Sequence, residues 1–296
     1  MESSHVPVLL EETLAVLAVK PGGRYVDGTF GRGGHAREIA RRGGKVLGID
    51  RDDTAVAAAG DIHVVKGRHG EVKEIANENG WQEVDGILLD LGVSSPQLDD
   101  AGRGFSFLRE GPLDMRMDRS SGVSAADLVN GADENRLEEI FRELGEEPNA
   151  RRIARAIVRR RGFSTTTELA DFVEREVGRR GAHHPATRVF QALRMAVNDE
   201  LGELRRALSG GMELLRPGGR FAVIAFESLS DRIVKHFFAA HIGRMQSLQQ
   251  GGAMWTGELP RARAVTRRVV VAGRREREVN PRSRSARLRA IERERV

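Results

Sequence analysis

Apolar positions along the chain follow two rhythms that change twice. In the first third, short strand-like runs at 24–27, 45–49, 62–65 and 84–89, the last nearly unbroken in apolar residues, each stop at an acid or just before a Lys-Gly pair. Short runs without alternation fit strands buried on both faces of a parallel sheet. Between them, apolar residues recur at helical spacing: over 7–19 (Val8, Leu9, Leu14, Val16, Leu17), from 35 to about 42, over 54–59 and over 71–78. Lys20-Pro21-Gly22-Gly23 and Gly43-Gly44 punctuate the alternation, so the pattern predicts successive strand and helix units.

The strand rhythm stops at 92. Residues 92–123 read as one long loop, and a loop of that length inside a compact fold is either functional or disordered. From 125 to about 206 the signals are helical. Asp133 is placed to cap a helix running to 144, Thr165 and Glu168 have capping-box spacing, and Pro185 stands where a first-turn proline opens the helix of Phe190, Leu193 and Val197. Alternation returns with a helix over 201–215, the turn Arg216-Pro217-Gly218-Gly219, a strand over 220–226 and a helix over 230–240. Residues 246–260 are expected to be mobile, and 265–271 and 286–291 to form the last strands. The expectation is an α/β Rossmann-like domain at 1–110 and 207–296, interrupted at 111–206 by an all-helical domain with a basic face on Arg151, Arg152, Arg155, Arg159, Arg160 and Arg161.

Composition adds constraints. An apolar fraction of 40% over 296 residues supports a real core, yet no run approaches the ~18 apolar residues of a membrane span. The opening MESSHVPVLL lacks the basic segment and apolar core of a signal peptide, so a cytoplasmic protein is expected. The net charge of +5 is uneven: residues 260–296 hold 13 Arg and 4 Glu, a local +9 that leaves −4 for the rest. Lysine occurs only at Lys20, Lys45, Lys66, Lys73 and Lys235. Guanidinium forks suit phosphate, so nucleic acid is a candidate partner, the alternative being a solvated surface. With Cys 0, disulfides, thiolate metal sites and cysteine nucleophiles are excluded. The adjacent His183 and His184 point apart on a helix with no third ligand at helical spacing, so no metal is expected.

Candidate chemistry concentrates in YVDGTFGRGGH at 25–35. A strand ending at Asp27 breaks into Gly28, Gly31, Gly33 and Gly34, which let the backbone turn tightly and approach a ligand before a helix opens. Gly31, Gly33 and Ala36 also satisfy a dinucleotide fingerprint. Asp27, Thr29, Gly31 and Gly33 at alternate positions resemble the first motif of S-adenosylmethionine-dependent methyltransferases. Asp50 ends the next strand, where a carboxylate can accept both ribose hydroxyls, and Asp90 ends the fourth. The late strand at 220–226 with a further C-terminal hairpin also fits the methyltransferase sheet, whose last strand runs antiparallel. Asp50 as a helix cap and Asp90 as a turn former are the structural alternatives.

Two nucleic-acid chemistries are closed by residue types. Methylation at pyrimidine C5 needs a cysteine to attack C6. The Lys-Asp-Lys-Glu set typical of ribose 2′-O transfer cannot be assembled in order, because no lysine lies between Lys73 and Lys235. An exocyclic amine needs no covalent intermediate, only an in-line lone pair. The [DNS]-P-P-[YFW] segment usual for amine acceptors is replaced here by Asp90-Leu91-Gly92-Val93-Ser94-Ser95-Pro96.

The blocks HVPVLLEE, DGTFGRGGH, GIDRD, DGILLDLGVSSPQLDDAGRGFSF, GPLDMRMD, HPATRVFQALRMAVNDEL, RPGGRFAVIAFESLSDRIVK and NPRSRSARLR together resemble the bacterial MraW/RsmH family, from His5 to about Arg293. The resemblance implies a class I methyltransferase sheet with an inserted helical substrate-recognition domain. It also implies S-adenosyl-L-methionine-dependent N4-methylation of a cytidine in the decoding region of 16S ribosomal RNA, with that RNA or the small subunit as partner. It puts cofactor contacts on Gly33, Gly34 and His35, on Asp50 at the ribose, on Asp90 beneath the methionine or adenine end, and on Gln97. His69 takes the place of an aromatic that packs on the adenine, and Glu227 stands where the family commonly has a histidine, whose role therefore does not transfer. RNA contacts are expected from Arg188, Arg194 and Asn198 and from Arg282, Arg284 and Arg287. No general base is assigned: Asp90 can orient the amine, while Asp114 and Asp118 are alternatives whose simpler reading is pairing with Arg116 and Arg119. Another RNA base, a protein amine, a non-catalytic assembly factor and a nicotinamide dehydrogenase remain rival readings, and the oligomeric state stays open.

Overall fold

The computed structural model describes residues 7–179, 181, 184–248 and 252–295. His5 of the first block and His183 lie outside the described residues. The strands are β1 (Arg24–Asp27), β2 (Lys45–Asp50), β3 (His63–Lys66), β4 (Val84–Asp90), β5 (Leu215–Ala225), β6 (Arg244–Ser247), β7 (Ala253–Thr256), β8 (Ala262–Ala264), β9 (Val270–Val271) and β10 (Arg287–Arg293).

By contact the chain forms two compact units, Met1–Gly92 with Gly202–Val296, and Val93–Leu201. In the first, an 8-stranded sheet runs β3-β2-β1-β4-β5-β10-β8, with β9 also on β10. Its first five strands are parallel and β10 is antiparallel to β5, as the methyltransferase motif implies. Successive β4 side chains serve opposite faces. Ile87 and Leu89 pack with Val26, Leu47, Leu204, Leu208 and Met212, whereas Leu88 packs with Tyr25, Leu14, Leu17, Ile224 and Leu288. Burial on both faces is why these strands carry no polar alternation. From β1 the chain builds outward through β2 and β3, then returns to lay β4 on β1's other side. The β1/β4 seam is therefore the topological switch point, with Asp27 and Asp90 at its carboxyl end.

The second unit holds the helices Ala125–Gly131, Glu134–Glu143, Ala150–Arg160, Thr166–Val177 and Ala186–Val197 around Leu137, Phe141, Ile153, Ile157, Leu169 and Leu193. Asp133 caps as expected, accepting from Arg136 N at 2.8 Å. Thr165 accepts from Glu168 N at 3.3 Å, but the Glu168 carboxylate takes Ser164 N at 3.0 Å instead of closing the box.

Several elements differ from the pattern reading. The unit break falls at Gly92/Val93 instead of 110/111, because Phe105 and Phe107 join the helical core, and it closes at Leu201/Gly202 instead of 206/207. The stretch 92–123 contains a short helix, Ser95–Asp99, opened by Pro96 and by Gln97 Oε1 accepting from Ser94 N at 2.9 Å. Residues 246–260, read as mobile, contribute to an antiparallel pair, β6 on β7. The strand read at 265–271 reduces to β9, since Val265 N and Thr266 N both donate to Ala290 O and break the ladder, while β8 lies upstream of it. Arg216-Pro217-Gly218-Gly219 is an excursion within β5: Val84 pairs Leu215 and Gly86 pairs Arg220, so the turn residues loop out of register.

Candidate cofactor-binding and active site

At the end of β1 the Asp27 carboxylate accepts from Thr29 N at 3.2 Å and lies 2% exposed. Burial, opposed by the Thr29 hydrogen bond and assisted by the charge of Asp50, pushes Asp27 up to about 7. Thr29 Oγ1 meets Asp90 N at 2.6 Å, tying the β1 turn to the end of β4. The chain then turns through Gly31 at φ 53° and Gly33 at φ 70°. A Cβ at Gly33 would lie 2.5 Å from Phe30 Cζ, and one at Gly34 would run into Pro7, so the helix Gly34–Arg41 opens where side chains have no room. Gly31 N donates to Asp50 Oδ2 at 2.7 Å and Asp52 N to Asp50 Oδ1 at 2.9 Å. Asp50 thus holds the turn against the end of β2 and keeps lone pairs for ribose hydroxyls. Burial raises its pKa.

His35, in the first turn of that helix, is buried with Nε2 3.1 Å from Val8 O. A carbonyl only accepts, so Nε2 carries the proton and Nδ1 faces Asp90 Oδ2 at 3.8 Å. Asp90 Oδ1 is shut off from solvent and has no hydrogen-bond partner among the described residues. Burial, with the charge of Asp27 second, pushes Asp90 up to about 8. After β3, His69 opens a tight turn whose Gly70 N donates to the buried Glu203 at 3.1 Å. Burial would raise Glu203, but hydrogen bonds from Arg206 (2.8 Å) and Arg68 (3.1 Å) hold its carboxyl below the ordinary value. The His69 Cβ lies beside Gly28, and the ring's Nε2 is likewise buried without a hydrogen-bond partner among the described residues. Burial and then the Arg51 charge push His69 down to about 4, so its ring is neutral.

Gly33, Gly34, His35, Asp50, His69 and Asp90 thus share the carboxyl edge of one sheet, with Asp27, Thr29 and Glu203 supporting them. The strand-end acid was the signal for Asp27; Glu203 had none, because it is distant in sequence from the turn it anchors. These residues fit S-adenosyl-L-methionine: two buried polar atoms lacking protein partners, a glycine turn without side chains, and carboxyls suited to a cationic ligand. Gln97 belongs to the second unit, where it caps Ser95–Asp99.

The residues read as RNA contacts divide. Arg194 makes a bidentate pair with Glu200 (2.7 and 2.9 Å), with side chains 12% and 13% exposed. Asn198 is buried, accepting from Met117 N and donating to Met115 O, both at 2.8 Å. Both therefore hold the second unit together. Arg287 lies 3.5 Å from Asp231, which also grips Arg289 at 2.7 and 3.1 Å. Arg188 is exposed and donates to Glu146 O at 3.0 Å; Arg282 and Arg284 are exposed on the turn Pro281–Ser285. Asp114 is clamped by Arg116 at 2.8 and 3.1 Å, and Asp118 accepts from Ser120 N at 3.0 Å. Glu227 precedes the helix Ser228–Ile242 as its N-cap residue. Among the described residues no group of three His, Cys, Asp or Glu could hold a metal, and no helix is long and apolar enough to cross a membrane.

The profile of the MraW methylase family matches residues 2–294. The chain is 51% identical to the Ribosomal RNA small subunit methyltransferase H of Methylobacterium nodulans, over 98% of this chain and 90% of that one. Identity to the protein of the same name from Symbiobacterium thermophilum is 46%, over 98% and 97%. Among solved structures, an rRNA methylase from Streptococcus thermophilus aligns over 99% of this chain and 100% of its own at 8% identity and a TM-score of 0.44.

Proposed function

The chain belongs to the MraW methylase family and uses S-adenosyl-L-methionine, and from that premise we propose that it methylates the exocyclic N4 of a cytidine in the decoding region of 16S ribosomal RNA, in the cytoplasm. The observation that carries the reading is Asp90, a carboxyl at the switch point whose Oδ1 has no hydrogen-bond partner among the described residues.

The cofactor supplies an electrophilic methyl group on a sulfonium. In this reading the side-chain-free Gly33–Gly34 turn would leave room for its amino-acid end, Asp50 would accept the ribose hydroxyls and the neutral His69 ring would pack against the adenine. A neighbouring cation favours the ionised form of Asp90. Asp90 would then accept an N–H of the cytosine amine through Oδ2, since Oδ1 is closed to solvent, and hold the nitrogen lone pair in line for transfer. The methylated nitrogen would be acidic, and Asp90 or water would take its extra proton. With Cys 0, attack on a pyrimidine ring carbon through a thiolate has no agent. Arg188, Arg282, Arg284 and Arg287 are exposed and are kept as the RNA contacts of the sequence reading, whereas Arg194 and Asn198 are engaged inside the second unit.

The test is digestion of small-subunit RNA after incubation, as subunits and as free RNA, with methyl-labelled cofactor. N4-methylcytidine is the expected nucleoside; label on a ring carbon, a ribose or a protein amine would refute the assignment.

A further inference from the structure

The helix Ala150–Arg160 separates its residues cleanly. Ala150, Ile153, Ala154, Ala156 and Ile157 are buried, while Arg151, Arg152, Arg155 and Arg159 are exposed. At ~100° per residue these four guanidiniums occupy an arc of about 100° and extend along about 12 Å of helix. They line an open groove of about 580 Å³ completed by Pro148, Asn149 and Glu176.

Most arginines of this unit are engaged with acceptors of the protein. Arg136 pairs with Glu139, Arg142 with Glu138 and Arg194 with Glu200. On the same helix, Arg160 pairs with Glu168 at 2.7 Å and lies over the Phe163 ring, and Arg161 donates to Asn130 O and Ala132 O. Arg151, Arg152 and Arg159, by contrast, make no ion pair among the described residues, and Arg155 has one, with Glu134 at 3.2 Å. The basic run of the sequence is thus two sets: two arginines that hold the fold and four that face an open groove.

We propose that this groove binds the phosphate backbone of the substrate RNA, a contact that rests on the RNA-methylation reading and adds a docking surface to it. The lining selects the partner class. It offers forked donors and one proline but no aromatic or aliphatic anchor, which a protein partner would need at the centre of an interface. Nor does it offer an aromatic platform for a base, so the contact positions RNA without reading its sequence. Three unpaired positive charges outweigh Glu176, which borders the groove and repels phosphate locally.

The experiment compares the wild-type chain with the triple variant Arg151→Ala, Arg152→Ala, Arg159→Ala and with the corresponding triple Lys variant. Binding of a fluorescent fragment of small-subunit RNA is titrated across salt, methylation is measured against RNA concentration, and cofactor affinity is measured by calorimetry. The Ala variant should raise the RNA Kd and KM roughly tenfold and flatten the slope of log affinity against log salt by about 1 to 2, with cofactor affinity and melting unchanged. The Lys variant should recover the salt slope, because phosphate contacts need charge. An unchanged KM and salt slope in the Ala variant, with the wild type binding RNA normally, overturns the groove. A wild type that neither binds nor methylates RNA overturns the functional reading itself.

Discussion

Replacing Asp90 by Asn isolates the charge at the end of β4. In the folded protein Asp90 titrates at about 8, against ~3.9 for an unfolded aspartate. Between those values the folded state holds a proton that the unfolded chain has lost, so stability falls as pH rises from about 4 through about 8. The penalty is absent below that window and fully present above it. At ~1.36 kcal/mol per unit the whole separation amounts to about 6 kcal/mol. The carboxyl keeps 26% exposure, and water on that face reduces the expected stabilisation by Asp90→Asn to ~2 kcal/mol at alkaline pH. Asparagine preserves shape, so the variant should match wild type near pH 4 and melt about 3 °C higher near pH 9. Thermal unfolding across that range is the assay, paired with calorimetry of the cofactor, whose affinity should drop about tenfold with the loss of a carboxylate facing a cation. A variant that is destabilised, or whose difference from wild type does not grow with pH, would refute the reasoning.

His69→Phe should leave cofactor affinity intact or tighter by calorimetry. It should also gain about 1 kcal/mol near pH 5, because a histidine held at about 4 makes the wild type lose stability as pH falls from ~6.5 through about 4. Gly33→Ala forces a side chain into φ 70° and against Phe30, so a loss of about 2 kcal/mol in urea unfolding and weaker cofactor binding are expected; an unaltered Kd would remove the turn from the site. Glu200→Gln leaves the largely buried Arg194 without its countercharge and should lower stability by about 3 kcal/mol, whereas a selective loss of RNA binding with normal melting would return Arg194 to the RNA surface.

Much of the sheet was legible because strands buried on both faces leave unbroken apolar runs, and each of the first four ends at an identifiable acid or glycine. The glycine turn, Asp50 and Asp90 could be read for the same reason: backbone geometry and strand ends restrict residue type locally. The β6/β7 pair and the short β8 were not legible, since exposed edge strands show little apolar pattern and their pairing depends on residues elsewhere in the chain.

Sequence alone determined the alternation of strands and helices, the Cys-free chemistry and the position of the glycine turn, because each follows from residue type at short range. Only the tertiary structure decided which charges are spent. Arg194 looks in sequence like Arg151 and Arg159, yet it meets Glu200 inside the fold, while the other two face a groove without an ion pair among the described residues. A charge carries the same formal value wherever it stands; whether it is neutralised depends on neighbours that chain folding brings to within hydrogen-bond distance. The same holds at Asp90, whose acid was visible from the strand end, while its protonation near neutral pH comes from burial beside Asp27.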